Sequence, residues 1–316
     1  MLKAAANGFR GPWRILSLGC DAVSFELMAD LPDSLQLALG YPTNYAEDWS
    51  LDGSRVEFVY ARDPSPWPWA TLPSWHPVVV DKLQYFSAIT AGWAARAFAA
   101  ETRTALTRLH WSSLRRESSP AARGVYESFS DERGIGYTLQ IFDGEGRETL
   151  RTRGEGAAFG DRDFGAWRSA AKEKAAALGL PAPSKMADPT AAGLGRDGCS
   201  LVSPLRTTAD GFAATGWVTA DNGFPPAHPF HTGSGDHVNA GHLLDCAMQC
   251  GHLALEPSNP LYCSGGEAEF LRFVELGVPF EISVTSESRP AGAARVHTSM
   301  RQGNRDTTRI TLDLED

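Results

Sequence analysis

Five of the eight histidines fall within residues 228–252: His228, His231, His237, His242 and His252. They share the stretch HPFHTGSGDHVNAGHLLDCAMQCGH with Gly233, Gly235 and Gly241, and glycine lets backbone turn tightly and approach a ligand closely. An imidazole titrates near neutrality and serves readily as a general base. A helix is predicted from about Ala240. Its free N–H groups would point back at the histidine loop, where they could polarise a carbonyl or hold a developing oxyanion. Within that helix Asp245 and Gln249 are four residues apart and share a face. Asp81 stands in a comparable apolar run, between Val80 and YFSAI. A carboxylate is costly to bury there and tends toward a raised pKa. The chemistry on offer is proton removal by a histidine and proton donation by a carboxylic acid. The same acids could instead bond backbone, or Arg108 and Arg272, and shape the sheet. His242 and His252 read as helix-surface or core residues. His228-x-x-His231 and His237-x4-His242 offer imidazoles at short spacing. No HExxH and no Cys/His zinc pattern accompanies them, so zinc held by four imidazoles on the Gly-rich loop is the less favoured reading and no metal is expected. Cys246 and Cys250, one helical turn apart, read as core.

These residues need elements to hold them. Residues 55–61 alternate and predict a strand. DPSPWPWATLPSWHP, with Trp67, Trp69 and Trp75, is a proline-rich loop. Residues 78–100 are broadly apolar and free of proline, which predicts a buried helix with Pro77 in its first turn. Strands are predicted at 104–114, 124–131, 135–143 and 147–159, with a hairpin at DGEG, and a surface helix at 161–178. The second part repeats the plan: strands at 200–208 and 211–220, a loop at 224–239, an apolar helix at 240–255. Strands follow at 267–277, 279–287 and 294–314, the last with a turn at QGN. Strand, loop, buried helix and several strands therefore occur twice. This sets an N-terminal lobe at 1–178, a linker at 179–198 and a C-terminal lobe at 199–316. A single offset of 164 superposes Asp81 on Asp245 and Arg108 on Arg272, and brings Trp67 to the place of His231. A helix apolar nearly all round predicts a sheet wrapped about it, which is the look of an α+β hotdog fold. Two copies make a double hotdog, an intrachain pseudo-dimer in which each covers the other's open sheet edge. The three tryptophans would wall a substrate tunnel or pin the proline-rich loop as apolar anchors.

The 316 residues carry 29 Lys+Arg against 38 Asp+Glu, a formal net charge of -9, so nothing pulls the chain toward phosphate backbones or anionic membranes. Nucleic acid and membrane are not expected partners. Hydrophobic residues at 42% and charged residues at 21% exclude a disordered chain, a collagen and a coiled coil. No membrane-spanning run or secretory signal is found. The five cysteines (Cys20, Cys199, Cys246, Cys250, Cys263) show no CxxC spacing, which predicts reduced thiols in a cytoplasmic protein.

The motif D-H-V-x-x-x-x-L-L-D-x-A-x-Q from Asp236 to Gln249, preceded by His228-Pro229, resembles the signature of the A-factor biosynthesis (AfsA-like) hotdog family. That family has Glu at the place of Asp245 and Pro-Gly at Asn239-Ala240. F-L-R-F-V-E-L-G-V-P (270–279) also resembles its strand after the helix. The likeness covers residues 205–285, with looser matches at HPVVVDKLQ (76–84) and LTRL (106–109). The stretch is similar to hotdog dehydratases as well. His231-x3-Gly235-x4-Ala240-Gly241 resembles their H-x3-G-x4-P-G, and Asp245-x3-Gln249 resembles the D-x3-Q of polyketide dehydratases.

The resemblance implies a double hotdog in specialised polyketide or fatty-acid-like metabolism. It would act on acyl thioesters carried on phosphopantetheine, from acyl carrier protein or CoA, with no metal or redox cofactor. The dehydratase likeness implies loss of water from a β-hydroxyacyl thioester. His231 would be the base and Asp81 or Asp245 the acid. Gly241 would polarise the thioester carbonyl, with Gly235, His237 and Gln249 completing the oxyanion and substrate contacts. In those enzymes the histidine of one lobe faces the acid of the other. His231 is therefore expected opposite Asp81, and Asp245 opposite Trp67, giving one live and one degenerate site. AfsA-type condensation of a β-ketoacyl thioester with a dihydroxyacetone phosphate is the first alternative, with Arg108 and Arg272 for the phosphate. A non-catalytic acyl binder is the second, and a thioesterase rests on fold alone. The chain is expected as a monomer or homodimer.

Overall fold

The structure is a computed structural model that describes residues 45–65, 67–94, 103–117, 119–131, 134–159, 164–194, 199–219 and 237–316. In chain order the elements are β1 (Ala46–Asp52), β2 (Arg55–Tyr60), α1 (Pro77–Ala94), β3 (Arg103–Ser113), β4 (Arg123–Asp131), β5 (Gly134–Phe142), β6 (Glu148–Phe159) and α2 (Phe164–Ala177). There follow β7 (Arg206–Thr208), β8 (Gly211–Gly216), β9 (His237–Val238), α3 (Ala240–Leu255), β10 (Tyr262–Phe270), β11 (Val274–Glu275), β12 (Phe280–Ser288), β13 (Ala293–Gln302) and β14 (Arg305–Glu315).

Twelve strands make one antiparallel sheet in the order β1-β2-β4-β5-β6-β3-β10-β14-β13-β12-β8-β7, and β9 pairs with β11 apart from it. Counted inward from either edge, both halves run first, second, fourth, fifth, sixth, third strand. The halves meet at β3 and β10, where Trp111 stands opposite Gly266 and Arg108 opposite Glu269. The strands alternate buried and exposed residues, as on β13, so one face of the sheet turns toward the helices. The helix α1 packs against α3 and on β1 and β4, and α3 packs on β8, β12, β13 and β14.

Local chemistry sets the helix ends. Pro77 opens α1, where a missing N–H costs nothing. Asn239 caps α3 and accepts from the His242 N–H; Glu256 closes it in the left-handed region at φ 46°. Every residue from Gly241 to His252 is buried, which only an enclosed helix can satisfy. The QGN turn joins β13 to β14 through Gly303 and Asn304, both at positive φ, a hairpin geometry these residue types favour.

Several expectations are corrected. The strand expected at 267–277 is displaced: β10 ends at Phe270, and the Leu271 and Arg272 N–H groups both turn onto Thr307 O. Of 200–208 only Arg206–Thr208 is strand, because Pro204 interrupts it and Val202 makes an isolated bridge to Gly216. The strand β1 was not expected at all. The single offset of 164 fails outside the helices. The bulges at Thr107 in β3 and Ser264 in β10 are 157 residues apart, because the chain from α3 into β10 is shorter than the chain from α1 into β3. Arg108 and Arg272 are therefore not equivalent. The stretch 179–194 has neither helix nor strand, yet it is no loose tether. Ala187 donates to Val202 O, and Ala187 and Ala192 are buried in the core.

Candidate active site

The helix α1 carries two charges into the interior. Asp81 is 5% and Lys82 3% exposed, although Val78, Val79, Val80 and Leu83 around them are core residues. The Lys82 Nζ lies 3.7 Å from Asp81 Oδ2. Gln84 Nε2 donates to Asp81 Oδ1 at 3.3 Å, and Tyr137 of β5 donates to Gln84 Oε1 at 2.6 Å. The Gly241 N–H at the start of α3 faces the Asp81 carboxyl and lowers its pKa. Asp81 thus stands against a helix end in the other half of the sheet, where α3 leaves amides open. Burial pushes the Asp81 carboxyl above the usual carboxylate range, against the lowering effect of Lys82 and these donors. Burial likewise pulls the Lys82 amine down, against the raising effect of Asp81.

Asp245 occupies a different environment. It is 2% exposed on α3 and lines a cavity of roughly 160 Å³ together with Gln249, His252, Trp75, His76 and Gly193. Gln249 Oε1 accepts from the Leu201 N–H at 2.8 Å. Its Nε2 is buried with no hydrogen-bond partner among the described residues. His252 is held below its usual pKa by burial, which Asp245 partly offsets. His76 Nδ1 accepts from the Val78 N–H at 3.2 Å, so the amide at the second position of α1 is spent locally. The corresponding amide of α3, Gly241, faces Asp81 instead.

The remaining expected site residues are placed as follows. His231 and Gly235 lie outside the described residues. His237 sits on β9, half-buried, edge-on to Phe273 at 4.6 Å. Trp67 and Trp69 are core anchors: both are buried edge-on to Tyr45, and Trp69 stacks on Phe86. Of the three tryptophans expected in a tunnel, Trp75 lines a cavity. It and His76, rather than Trp67, stand with Asp245. Cys246 and Cys250 are buried, and burial pushes the Cys250 thiol up to about 12. Among the described residues no three metal-ligating side chains converge. The exposed Arg108 pairs with Glu155 and Glu269, and Arg272 donates to Asp306 O, so both arginines are engaged on the sheet. Sequence reasoning missed Lys82, Gln84, Tyr137 and His76. A signal for Lys82 existed: it forms a charged pair with Asp81 inside an otherwise apolar helix.

No family model and no curated protein matches the sequence. Solved structures do resemble it. The dehydratase domain of RzxB from Pseudomonas fluorescens superposes with a TM-score of 0.51 at 12% identity, over 86% of this chain and 98% of that one. The 12:0-ACP thioesterase from Umbellularia californica gives 0.50 at 9% identity, over 84% and 99%. At such identities the likeness is one of fold. A long antiparallel sheet packed on central helices, shared over most of the chain with these two enzymes, gives this protein a hotdog fold.

Proposed function

We propose that the chain is a double hotdog enzyme acting on acyl thioesters, with lobes at 1–178 and 199–316, and that it removes water from a β-hydroxyacyl thioester. The observation that carries this reading is the buried Asp81 carboxyl facing the Gly241 N–H. It sets a desolvated acid from one half against the start of α3, into which the histidine-rich loop leads. In the proposed reaction the thioester carbonyl accepts from the Gly241 N–H, beside the Asp81 carboxyl. His231, whose role rests on the sequence motif, removes the α proton. The β C–O bond breaks, Asp81 protonates the departing hydroxyl to water, and an α,β-unsaturated thioester remains. The acyl group arrives on acyl carrier protein or CoA, and the chemistry asks for no metal or redox cofactor.

The test is turnover of a β-hydroxybutyryl N-acetylcysteamine thioester, followed by mass spectrometry. Asp81→Asn is expected to lower turnover by about 10²-fold or more, the usual scale for a lost general acid. Full turnover in both Asp81→Asn and His231→Ala would sink the assignment. Loss in Asp245→Asn alone would move the acid to the other half. A free acid product would indicate hydrolysis, and an ester formed from dihydroxyacetone phosphate would indicate condensation. The condensation reading is the less supported, since Arg108 and Arg272 are already engaged by carboxylates and backbone on the sheet.

A further inference from the structure

The mechanism above leaves one buried cation unused. A lysine 3% exposed, inside the apolar face of a helix, is expensive unless something compensates its charge. Lysine ordinarily keeps its ammonium in water even when its stem is buried. Lys82 does not: its Nζ lies 3.7 Å from Asp81 Oδ2, and both groups are shut into the same interior. We propose that Lys82 is a positioning residue of the Asp81 site, the internal counter-ion that sets the charge state of Asp81.

The surroundings make this pairing specific. On α1 itself, Tyr85 is the other titratable neighbour, and it is half exposed. From β5, Tyr137 faces the pair through Gln84, with Tyr126 of β4 stacked on it; burial holds both phenols neutral. From β1 and β4, Asp48, Asp52 and Glu127 are exposed. From α3, the Gly241 amide faces Asp81, while His242 is engaged with the Asn239 side chain and Asp245 lies a turn further on. Among the described residues Lys82 is therefore the cation buried beside Asp81. Removing it would leave a carboxyl with amide donors alone and raise its pKa further. Removing Asp81 would leave a buried amine and lower its pKa further.

The two losses have opposite signs with pH. An acid whose folded pKa is raised loses its stability contribution as pH rises toward that pKa. An amine whose folded pKa is lowered loses its contribution as pH falls toward that pKa. Thermal unfolding of the full chain is followed from pH 5 to pH 9. For Lys82→Met, the deficit in Tm against wild type is expected to widen by about 2 °C or more between pH 5 and pH 8. For Asp81→Asn the deficit should widen as pH falls from 9 to 6. The double variant Asp81→Asn/Lys82→Met should show neither slope, and it keeps the comparison available if a single variant does not fold at one end of the range. Deficits that stay flat with pH in both single variants, or a double variant with the slope of either single, would overturn the pairing. This role rests on the dehydratase reading only for its consequence in turnover, where Lys82→Met should move the alkaline limb of the kcat/KM profile upward. If wild type turns over no β-hydroxyacyl thioester, that reading fails, while the unfolding slopes still decide the role of Lys82.

Discussion

At the scale of single residues, environment decides what each acid can do. Asp81 and Asp245 look alike in the sequence, both inside apolar helices. Asp81 holds a lysine, a glutamine and a helix amide, whereas Asp245 borders a cavity with His252 and Gln249. The consequence for His252 is testable. Its folded pKa lies below the usual imidazole value because it is buried, so the folded state prefers it neutral. Its contribution is therefore present above the unfolded pKa of about 6.5 and is lost as pH falls. Wild-type Tm should decline between pH 7 and pH 5, and His252→Asn should show a shallower decline. Equal declines in the two proteins would mean that another group titrates there. Asp81 was legible in the sequence because a charge interrupts an apolar run. Lys82 interrupts the same run, but its burial was not legible, because lysine normally reaches solvent and only the enclosing sheet removes that option.

At the scale of elements, what reads as punctuation proves to be packing. The Gly- and Pro-rich stretch after α2 was expected to be a linker, and its described residues, 179–194, contain no helix or strand. Even so, Gly193 takes φ +77° and lies so close to the His252 ring that an added Cβ would run into it. Gly193→Ala is therefore expected to destabilise by about 1–3 kcal/mol through left-handed strain and clash combined. Denaturant unfolding checks this; a cost under about 0.5 kcal/mol, the level of an ordinary surface change, would mean that the segment can shift away. Trp67, Trp69 and Trp75 show the same limit. All three lie in one proline-rich loop, yet two anchor the core and one reaches a cavity. Local sequence gives no means of ranking them, since their separation depends on where Tyr45 and Phe86 arrive from other elements.

At the scale of the whole molecule, the pairing of β3 with β10 joins two six-stranded halves, and α1 packs on α3 across the same joint. Neither half covers its own inner edge strand or its helix face. Residues 199–316 expressed alone are expected to self-associate or aggregate. Mixing them with residues 1–198 should restore a single complex of intact-chain size. Size-exclusion chromatography checks this, and a well-folded monomer of either half would contradict it. The arginine match at 164 failed at this scale. Strand register is set by cross-strand hydrogen bonds and bulges, and insertions in a loop do not respect it.

The sequence by itself determined most of the elements and their repeated order, because periodicity, proline and turn residues act over a few positions. It also singled out the acids on α1 and α3, since a charge inside an apolar run is visible without any fold. Only the tertiary structure decided which partner each acid received. Asp81 gained Lys82 and the Gly241 amide, while Asp245 gained Trp75 and His76 as cavity neighbours. Those partners arrive from helix ends and loops remote in the chain, and their positions follow from how the two halves close against each other.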